Sequence, residues 1–381
     1  MNEIYKSIPV TQELIDTLGV VPYSYEKIDA LGANMNIIYS QRSNCKSYGL
    51  KEKMLKLYFN EGKKFFLARK REEEAKATKM TKYFSDIIPL KDALNEKFPG
   101  YDMVYVEAKS NAFNIMGMDE KGKKTKLDEM GYFSSIERGN NIRSIPFNDV
   151  GGFYYDEFMS AAKDIPDEYD NFIELFATVA RGRDIPIYLT GNTVDRQNTI
   201  LLSLGIDINN IQSGDIKVFK MYNKDKTRVT RTIAVEYAKS ETTEKFQDIY
   251  GYGSKREAMI VNGEWVVDDY PLYTEDDLYS PKIKIRHAFC LESKFRKLYG
   301  YVLNNHKMFM SDERLYKGRV KNYTTITTGS SNFSQKIFNT RCGLTAVDNI
   351  LNNLKLYFNN GFILFKNDFV GDDFNEFLNE I

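Results

Sequence analysis

Histidine, cysteine and tryptophan are nearly missing from this chain, and each shortage removes a class of function. The 381 residues include two histidines, His287 and His306, three cysteines, Cys45, Cys290 and Cys342, and a single tryptophan. So few histidines argue against a His-based metal site or a catalytic triad. The scattered cysteines argue against a disulfide framework or a zinc site. No apolar run reaches the roughly 20 residues that a membrane-spanning helix needs, and Met1–Lys6 lacks the basic-then-apolar layout of a secretory signal. The expected setting is reducing and cytoplasmic, with no membrane partner. Net charge is also missing: 53 basic residues balance 53 acidic ones. Any nucleic-acid contact must therefore come from local patches and not from a global field. No internal repeat or low-complexity tract is visible, and the length predicts two domains.

What is present is organised around Met35–Ser47, which reads as a short apolar strand, a tight polar loop and the start of a helix. A phosphate-binding loop needs a strand to deliver it, backbone N–H groups curled toward the anion, a Lys for the β/γ oxygens and a Ser or Thr hydroxyl for Mg²⁺. Lys46 and Ser47 supply the last two. The helix predicted from Tyr48 onward would direct its positive end at the anion. The nucleotide-binding candidates are therefore Ser40, Gln41, Arg42, Ser43, Asn44, Cys45, Lys46, Ser47 and Tyr48. Neither glycine of G-x-x-x-x-G-K-[ST] is present, because Ser40 stands at the first and Cys45 at the second. Upstream, Tyr25 is open to two readings, stacking on an adenine or filling a lid or core contact.

Downstream, Lys64–Arg69 reads as a buried strand ending in basic residues, and Glu72–Asp86 as a charged helix. Near-continuous apolar strands alternating with helices predict a parallel sheet with crossover helices. Asp102–Glu107 and Ala112–Met118 look like an inserted hairpin, followed by a basic loop, Asp119–Lys126. Phe153–Asp156 is an aromatic strand ending in Asp156-Glu157, as a Walker B element requires: the first carboxylate orders Mg²⁺ and the next polarises the attacking water. An ordinary edge-strand terminus would look the same. Glu168–Val179 has helical spacing and ends in Arg181-Gly182-Arg183, and Ile185–Asn192 is a further strand with a polar tip. Arg181 is open to a last-turn dipole role or to a contact with a neighbouring subunit's nucleotide. Ile216–Lys220 and Thr232–Tyr237 read as strands, Ser240–Tyr250 as a polar helix, and the Gly251–Ser254 region as a linker.

Local basic patches supply the DNA-contact candidates: Lys121, Lys123 and Lys124 in the hairpin loop, and Lys282, Lys284 and Arg286 in a strand-rich terminal part where acids are sparse. They suit a phosphate backbone, although alternating charges on a solvated strand would look alike.

Taken together, Ser40–Ser47, Phe153–Glu157, Thr178–Arg183 and Leu189–Asn192 resemble, in order and spacing, the viral DNA-packaging motor ATPases of small podoviruses, the terminase large-subunit analogues of the phi29 group. Lys297–Tyr301, Asn322–Thr328 and Leu356–Phe365 extend the resemblance over most of residues 20–381. The resemblance implies a deviant Walker A loop with Ser40 at the first glycine and Arg42 inside it, leaving Cys45 as a departure. It implies an α/β chain: an N-terminal P-loop ATPase domain of the additional-strand, conserved-Glu (ASCE) type over residues 1–230, a lid or linker over 231–275, and a smaller RNase H-like domain over 276–381. Asp368, Asp372 and Asp373 do not by themselves make a two-metal nuclease cluster, so that last domain reads as a vestigial nuclease that grips DNA.

The implied activity is ATP hydrolysis driving double-stranded DNA into a procapsid, in the host cytoplasm and transiently on the procapsid. The implied partners are the portal, a homo-oligomeric ring, pentameric by resemblance, and a structural packaging RNA whose requirement stays open. Lys46 would neutralise β/γ charge, Ser47 and Asp156 would hold Mg²⁺, Glu157 would activate water, Arg181 would act in trans with Arg42 and Arg183 as alternatives, and Asn192 would report γ-phosphate loss. Two other readings stay open: an endonuclease with an auxiliary ATPase, and a non-enzymatic DNA-binding or portal adaptor with a decayed loop.

Overall fold

The computed structural model describes residues 3–18, 20–40, 44–138, 146–159, 165, 167–193, 198–206, 208, 211–239, 270–273, 283–292, 297–304, 307–316, 318, 320–324 and 354–380. The chain divides into two compact units, Met1–Val266 and Val267–Ile381.

The first unit is built on one nine-stranded sheet. In chain order its strands are β1 (Met35–Ser40), β2 (Lys64–Arg69), β3 (Met103–Lys109), β4 (Ala112–Met118), β5 (Lys124–Ser135), β6 (Val150–Asp156), β7 (Ile187–Asn192), β8 (Ile216–Tyr222) and β9 (Val229–Tyr237). The spatial order is β3-β4-β5-β2-β6-β7-β1-β9-β8. From β5 through to β9 every neighbouring pair is parallel, while β3, β4 and β8 add antiparallel edges. A parallel sheet needs a cover on both faces, and the period-2 alternation of the strands supplies two apolar surfaces. Ile37 and Tyr39 of β1, Phe66 and Ala68 of β2, and Phe153 and Tyr155 of β6 enter one core with Phe172, Leu175 and Val179 of the helix Glu168–Ala180. Ile38, Phe65, Leu67 and Tyr154 enter the other, with Leu50, Met54 and Leu55 of the helix Lys46–Phe59. The α/β expectation for this unit therefore holds.

Several boundaries differ from those expected. An ATPase domain ending at residue 230 would cut β9, which pairs with β1 as far as Tyr237. The basic loop is shorter than predicted, because Lys124 already opens the twelve-residue β5. Lys121, Lys123 and Lys124 are exposed there, and the Asp119 carboxylate accepts the backbone N–H groups of Lys121 and Lys123 at 3.0 and 2.9 Å. The helix expected over Glu72–Asp86 is a set of turns with one short helix, Ala77–Met80. Ion pairs from Arg69 to Glu74 and from Arg138 to Glu72 hold its start against the sheet, and Met80, Phe84 and Ile87 anchor its end in the core. The polar helix expected at Ser240–Tyr250 and the linker at Gly251–Ser254 lie outside the described residues.

The second unit carries a five-stranded sheet, ordered β13-β10-β11-β12-β14. Its strands are β10 (Ile285–Glu292), β11 (Lys297–Leu303), β12 (Met308–Ser311), β13 (Lys321–Thr324) and β14 (Ile363–Phe365). β10, β11 and β12 form an antiparallel meander, β13 lies parallel to β10, and β14 parallel to β12. The helix Asp368–Glu380 packs Val370, Phe374, Phe377 and Leu378 onto this sheet with Phe289, Leu291 and Phe365. Lys284 and Arg286 are exposed at the entry to β10, whereas Lys282 lies outside the described residues. Asp368 and Asp372 serve Tyr270, accepting its backbone N–H at 3.1 Å and its phenol O–H at 2.8 Å. Among the described residues no helix is long and apolar enough to cross a membrane.

Candidate functional site

Parallel strands end together, and here the carboxyl ends of β1, β6 and β7 bring their last side chains side by side. Ser40 pairs in register with Asn192, and Asp156 with Thr190. From β1 the chain turns through Asn44 and Cys45 into the helix Lys46–Phe59. The Lys46 ammonium donates to Ser40 Oγ at 2.6 Å, to Asn44 Oδ1 at 2.9 Å and to Asn192 Oδ1 at 3.3 Å. It is buried, and burial pushes it down to about 7 against the pull of Asp156, Cys45 and Glu157. Beside it, Ser47 Oγ donates to Asp156 Oδ1 at 2.8 Å. The structure therefore brings Ser40, Asn44, Lys46, Ser47, Asp156 and Asn192 into one cluster. Gln41, Arg42 and Ser43 lie outside the described residues.

The two departures from a glycine loop have different consequences. Ser40 closes a regular strand and its hydroxyl accepts from Lys46, so its side chain is used. Cys45 sits at φ 61° in the left-handed region, where a side chain costs roughly 1–2 kcal/mol. Only the second glycine position imposes a backbone demand, and this chain meets it with a strained residue. One turn on, Gly49 is needed for space, since a Cβ there would lie 2.9 Å from the Tyr25 ring. That close approach lets the Tyr25 phenol donate to the Lys46 carbonyl at 2.9 Å. Tyr25 is thus a buried buttress of the loop.

Asp156 is buried and accepts four hydrogen bonds. Ser47 and Thr190 donate to Oδ1, each at 2.8 Å, while Arg69 Nη1 and the Tyr83 phenol donate to Oδ2 at 2.8 and 2.9 Å. Burial would raise this carboxyl, but the Arg69 guanidinium and the three hydroxyls hold it below the usual range. Glu157, next in the chain, has φ 60°. Its half-exposed carboxylate meets Arg69 Nη2 at 2.5 Å. Arg69, Tyr83 and Thr190 were not singled out from the sequence. The basic end of β2 was the signal for Arg69, and nothing local marks Tyr83. Thr193, directly after Asn192, also belongs here: its backbone N–H donates to the Ser40 carbonyl at 2.9 Å, and its hydroxyl is buried with no partner.

Arg181 caps the helix Glu168–Ala180 in the left-handed conformation at φ 49° and is exposed. Arg183, the alternative for a trans contact, is committed elsewhere. Its guanidinium donates to the carbonyls of Ala180, Asn148, Val150, Phe147 and Val179. That network ties the helix end to the start of β6, so Arg183 cannot also reach across an interface without losing it.

Residues of the loop fit a phosphate. The Asn44 Nδ2 group is buried without an acceptor, and a buried amide needs one. Mg²⁺ also fits, because it takes few protein oxygens and keeps waters; Ser47 Oγ and Asp156 are the hard oxygen donors here. A cavity of about 510 Å³ opens beside the loop, lined in part by Pro22, Tyr23, Tyr25, Cys45, Tyr48 and Gly49.

No family model and no curated protein matches the chain. Among solved structures, it is similar to a chain of the bacteriophage Phi-29 viral genome packaging motor assembly, with 18% identity, 94% of this chain and 99% of that one covered, and a TM-score of 0.56. The Phi-28 DNA packaging motor aligns at 12% identity over 91% and 94% of the two chains, with a TM-score of 0.49. The Thermus phage P74-26 large terminase ATPase domain aligns at 12% identity over 68% and 100%, with a TM-score of 0.39. The first likeness spans both units and establishes that the fold is shared.

Proposed function

We propose that the chain is an ATPase that drives double-stranded DNA into a viral procapsid, working as a homomeric ring at the portal. The observation that carries this reading is the single cluster in which Lys46 reaches Ser40 and Asn192 while Ser47 reaches Asp156, on a fold shared over 94% of the chain with a chain of a viral genome packaging motor assembly.

The Lys46 ammonium and the N-terminus of its helix would hold the β/γ-phosphates, and Asn44 Nδ2 would gain an acceptor. Ser47, with Asp156 acting through water, would hold Mg²⁺. That ion supplies charge neutralisation on the phosphate oxygens. Glu157 is the one carboxylate of the cluster that is half-exposed, as a base that must reach water requires. The cavity beside Tyr48 and Tyr23 would take the nucleobase. Asn192, hydrogen-bonded to Lys46, would report loss of the γ-phosphate along β7. Arg181 is exposed and would act in trans in a pentameric ring, and Lys121, Lys123, Lys124, Lys284 and Arg286 are exposed cations suited to a DNA backbone. The second unit would grip DNA as a vestigial nuclease, since Asp368 and Asp372 already serve Tyr270. A structural RNA bridging motor and portal belongs to the same reading.

ATP turnover measured with and without DNA and procapsids tests this. Stimulated turnover that disappears in Lys46→Ala is expected, and a folded protein without turnover under any condition would remove the motor reading. Mixed Lys46→Ala and Arg181→Ala subunits should recover part of the activity, and no recovery at any ratio removes Arg181 from the trans role. Plasmid cut in Mg²⁺ or Mn²⁺, and lost on changing Asp368 or Asp372, would show an endonuclease instead.

A further inference from the structure

A carboxylate offers about four lone-pair sites, and at Asp156 all four are taken by Ser47, Thr190, Arg69 and Tyr83. A metal ion cannot coordinate this carboxylate, and a metal-bound water cannot donate to it, until one donor leaves. Ser47 and Thr190 are short neutral hydroxyls fixed by the loop helix and β7. Arg69 is different because it carries a full charge on a long stem. A cation arriving at Asp156 repels the guanidinium, whereas it has no quarrel with a hydroxyl. The guanidinium is also not fully satisfied where it stands: Nε is buried without a hydrogen-bond partner, and its ion pair with Glu74 is long, at 3.7 Å, beyond hydrogen-bond length. The same planar fork holds Glu157 through Nη2. Because the fork is rigid, any movement of Nη1 off Asp156 also shifts Nη2 against Glu157.

We propose that Arg69 is a positioning residue that bridges Asp156 and Glu157 as an internal counter-cation, and that it is exchanged for the Mg²⁺ accompanying a bound nucleotide. Freeing Glu157 for water activation is then the same event as loading the metal. The inference rests on reading this cluster as a nucleotide site and deepens it. It makes Mg²⁺ the signal that releases the base, so nucleotide without metal leaves Glu157 tied.

The test reads binding, not turnover. A fluorescent ATP analogue is titrated into the full chain with Mg²⁺ and with EDTA, and the ratio of the two affinities is taken for the wild type, Arg69→Gln and Arg69→Lys. Removing the internal competitor should raise the ratio roughly tenfold in Arg69→Gln, the size of one charge-assisted hydrogen bond. Arg69→Lys keeps a charge beside Asp156 but cannot span both carboxylates, so a smaller rise is expected. In parallel, Mn²⁺ alone is titrated into nucleotide-free protein and followed by electron paramagnetic resonance, where Arg69→Gln should bind the ion more tightly than the wild type. An unchanged or lowered ratio in both variants overturns the proposal, as it does in Arg69→Lys alone if Arg69→Gln fails to fold. A ratio left unchanged beside slowed turnover would instead place Arg69 on the phosphate. If no form binds the analogue in either condition, the nucleotide reading has failed, and the Mn²⁺ titration still decides the exchange.

Discussion

Arg69 and Lys70 are consecutive, and the sheet sends them to opposite faces. On β2 the odd positions, Phe65 and Leu67, enter the core under the loop helix, and the even positions, Phe66 and Ala68, enter the core under the helix Glu168–Ala180. Arg69 follows the first set to Asp156 and Glu157, and Lys70 follows the second to Glu168 at 3.0 Å. The Lys70–Glu168 pair is sealed, with side-chain exposures of 1% and 0%, and Glu168 also accepts from Tyr155 at 2.7 Å and Thr199 at 3.3 Å. Arg69 faces a carboxylate, Glu157, that is 45% exposed. Two adjacent cations thus make a locked pair and an exchangeable one. Arg69 and Asp156 are themselves only 11% and 3% exposed, so what opens this site to water, and the Lys70 site not, is Glu157.

Breaking the sealed pair should have the largest effect. Glu168→Ala leaves Lys70 buried beside no carboxylate from that helix, and a loss of about 3–5 kcal/mol is expected, read by chemical denaturation. A loss under about 1 kcal/mol would mean that water reaches the pair after all. On the open side the effect should move from stability to rate. Glu157→Gln should lower ATP turnover about a hundredfold or more while the melting temperature stays close to wild type. Equal melting loss in both variants would erase the distinction.

Smaller effects sharpen the same contrast. Cys45→Gly removes a side chain from the left-handed region and should stabilise the chain by up to about 1 kcal/mol, with nucleotide affinity kept or tightened. Lower stability would mean that the thiol packs usefully in the loop. Glu236 is a third buried carboxylate, whose hydrogen-bond partner is the Tyr23 phenol and not a cation. Burial raises its pKa above the usual carboxylate value. The folded chain therefore takes up this proton more readily than the unfolded chain, and the ionised group weakens the fold at neutral pH. Glu236→Gln should raise the melting temperature at pH 7, and the gain should shrink as pH falls into the carboxylate range. A gain independent of pH would point to packing instead.

Much of the site was legible because its parts are local. Lys46 and Ser47 follow a strand and open a helix, and Asp156-Glu157 ends an aromatic strand; such signals need only a few neighbouring residues. Arg69 and Tyr83 were not legible as site residues, since each meets Asp156 across more than seventy positions of chain. The charged run at Glu72–Asp86 reads as a helix by composition, yet Arg69 and Arg138 draw its glutamates into turns. The long β5 was missed because its first half is mostly polar, with Lys124, Thr125 and Lys126 exposed. Arg183 read as a second candidate finger until five carbonyls claimed it.

Sequence alone determined the alternation of strands and helices, the loop with its lysine and serine, and the carboxylate pair, since each is set by short-range pattern. Tertiary structure alone decided that Cys45 is strained, that Asp156 is saturated and that Arg69 rather than Lys70 meets Asp156 and Glu157. The physical reason is that backbone register assigns each side chain to a face, whereas burial and hydrogen-bond saturation depend on what distant strands place opposite it.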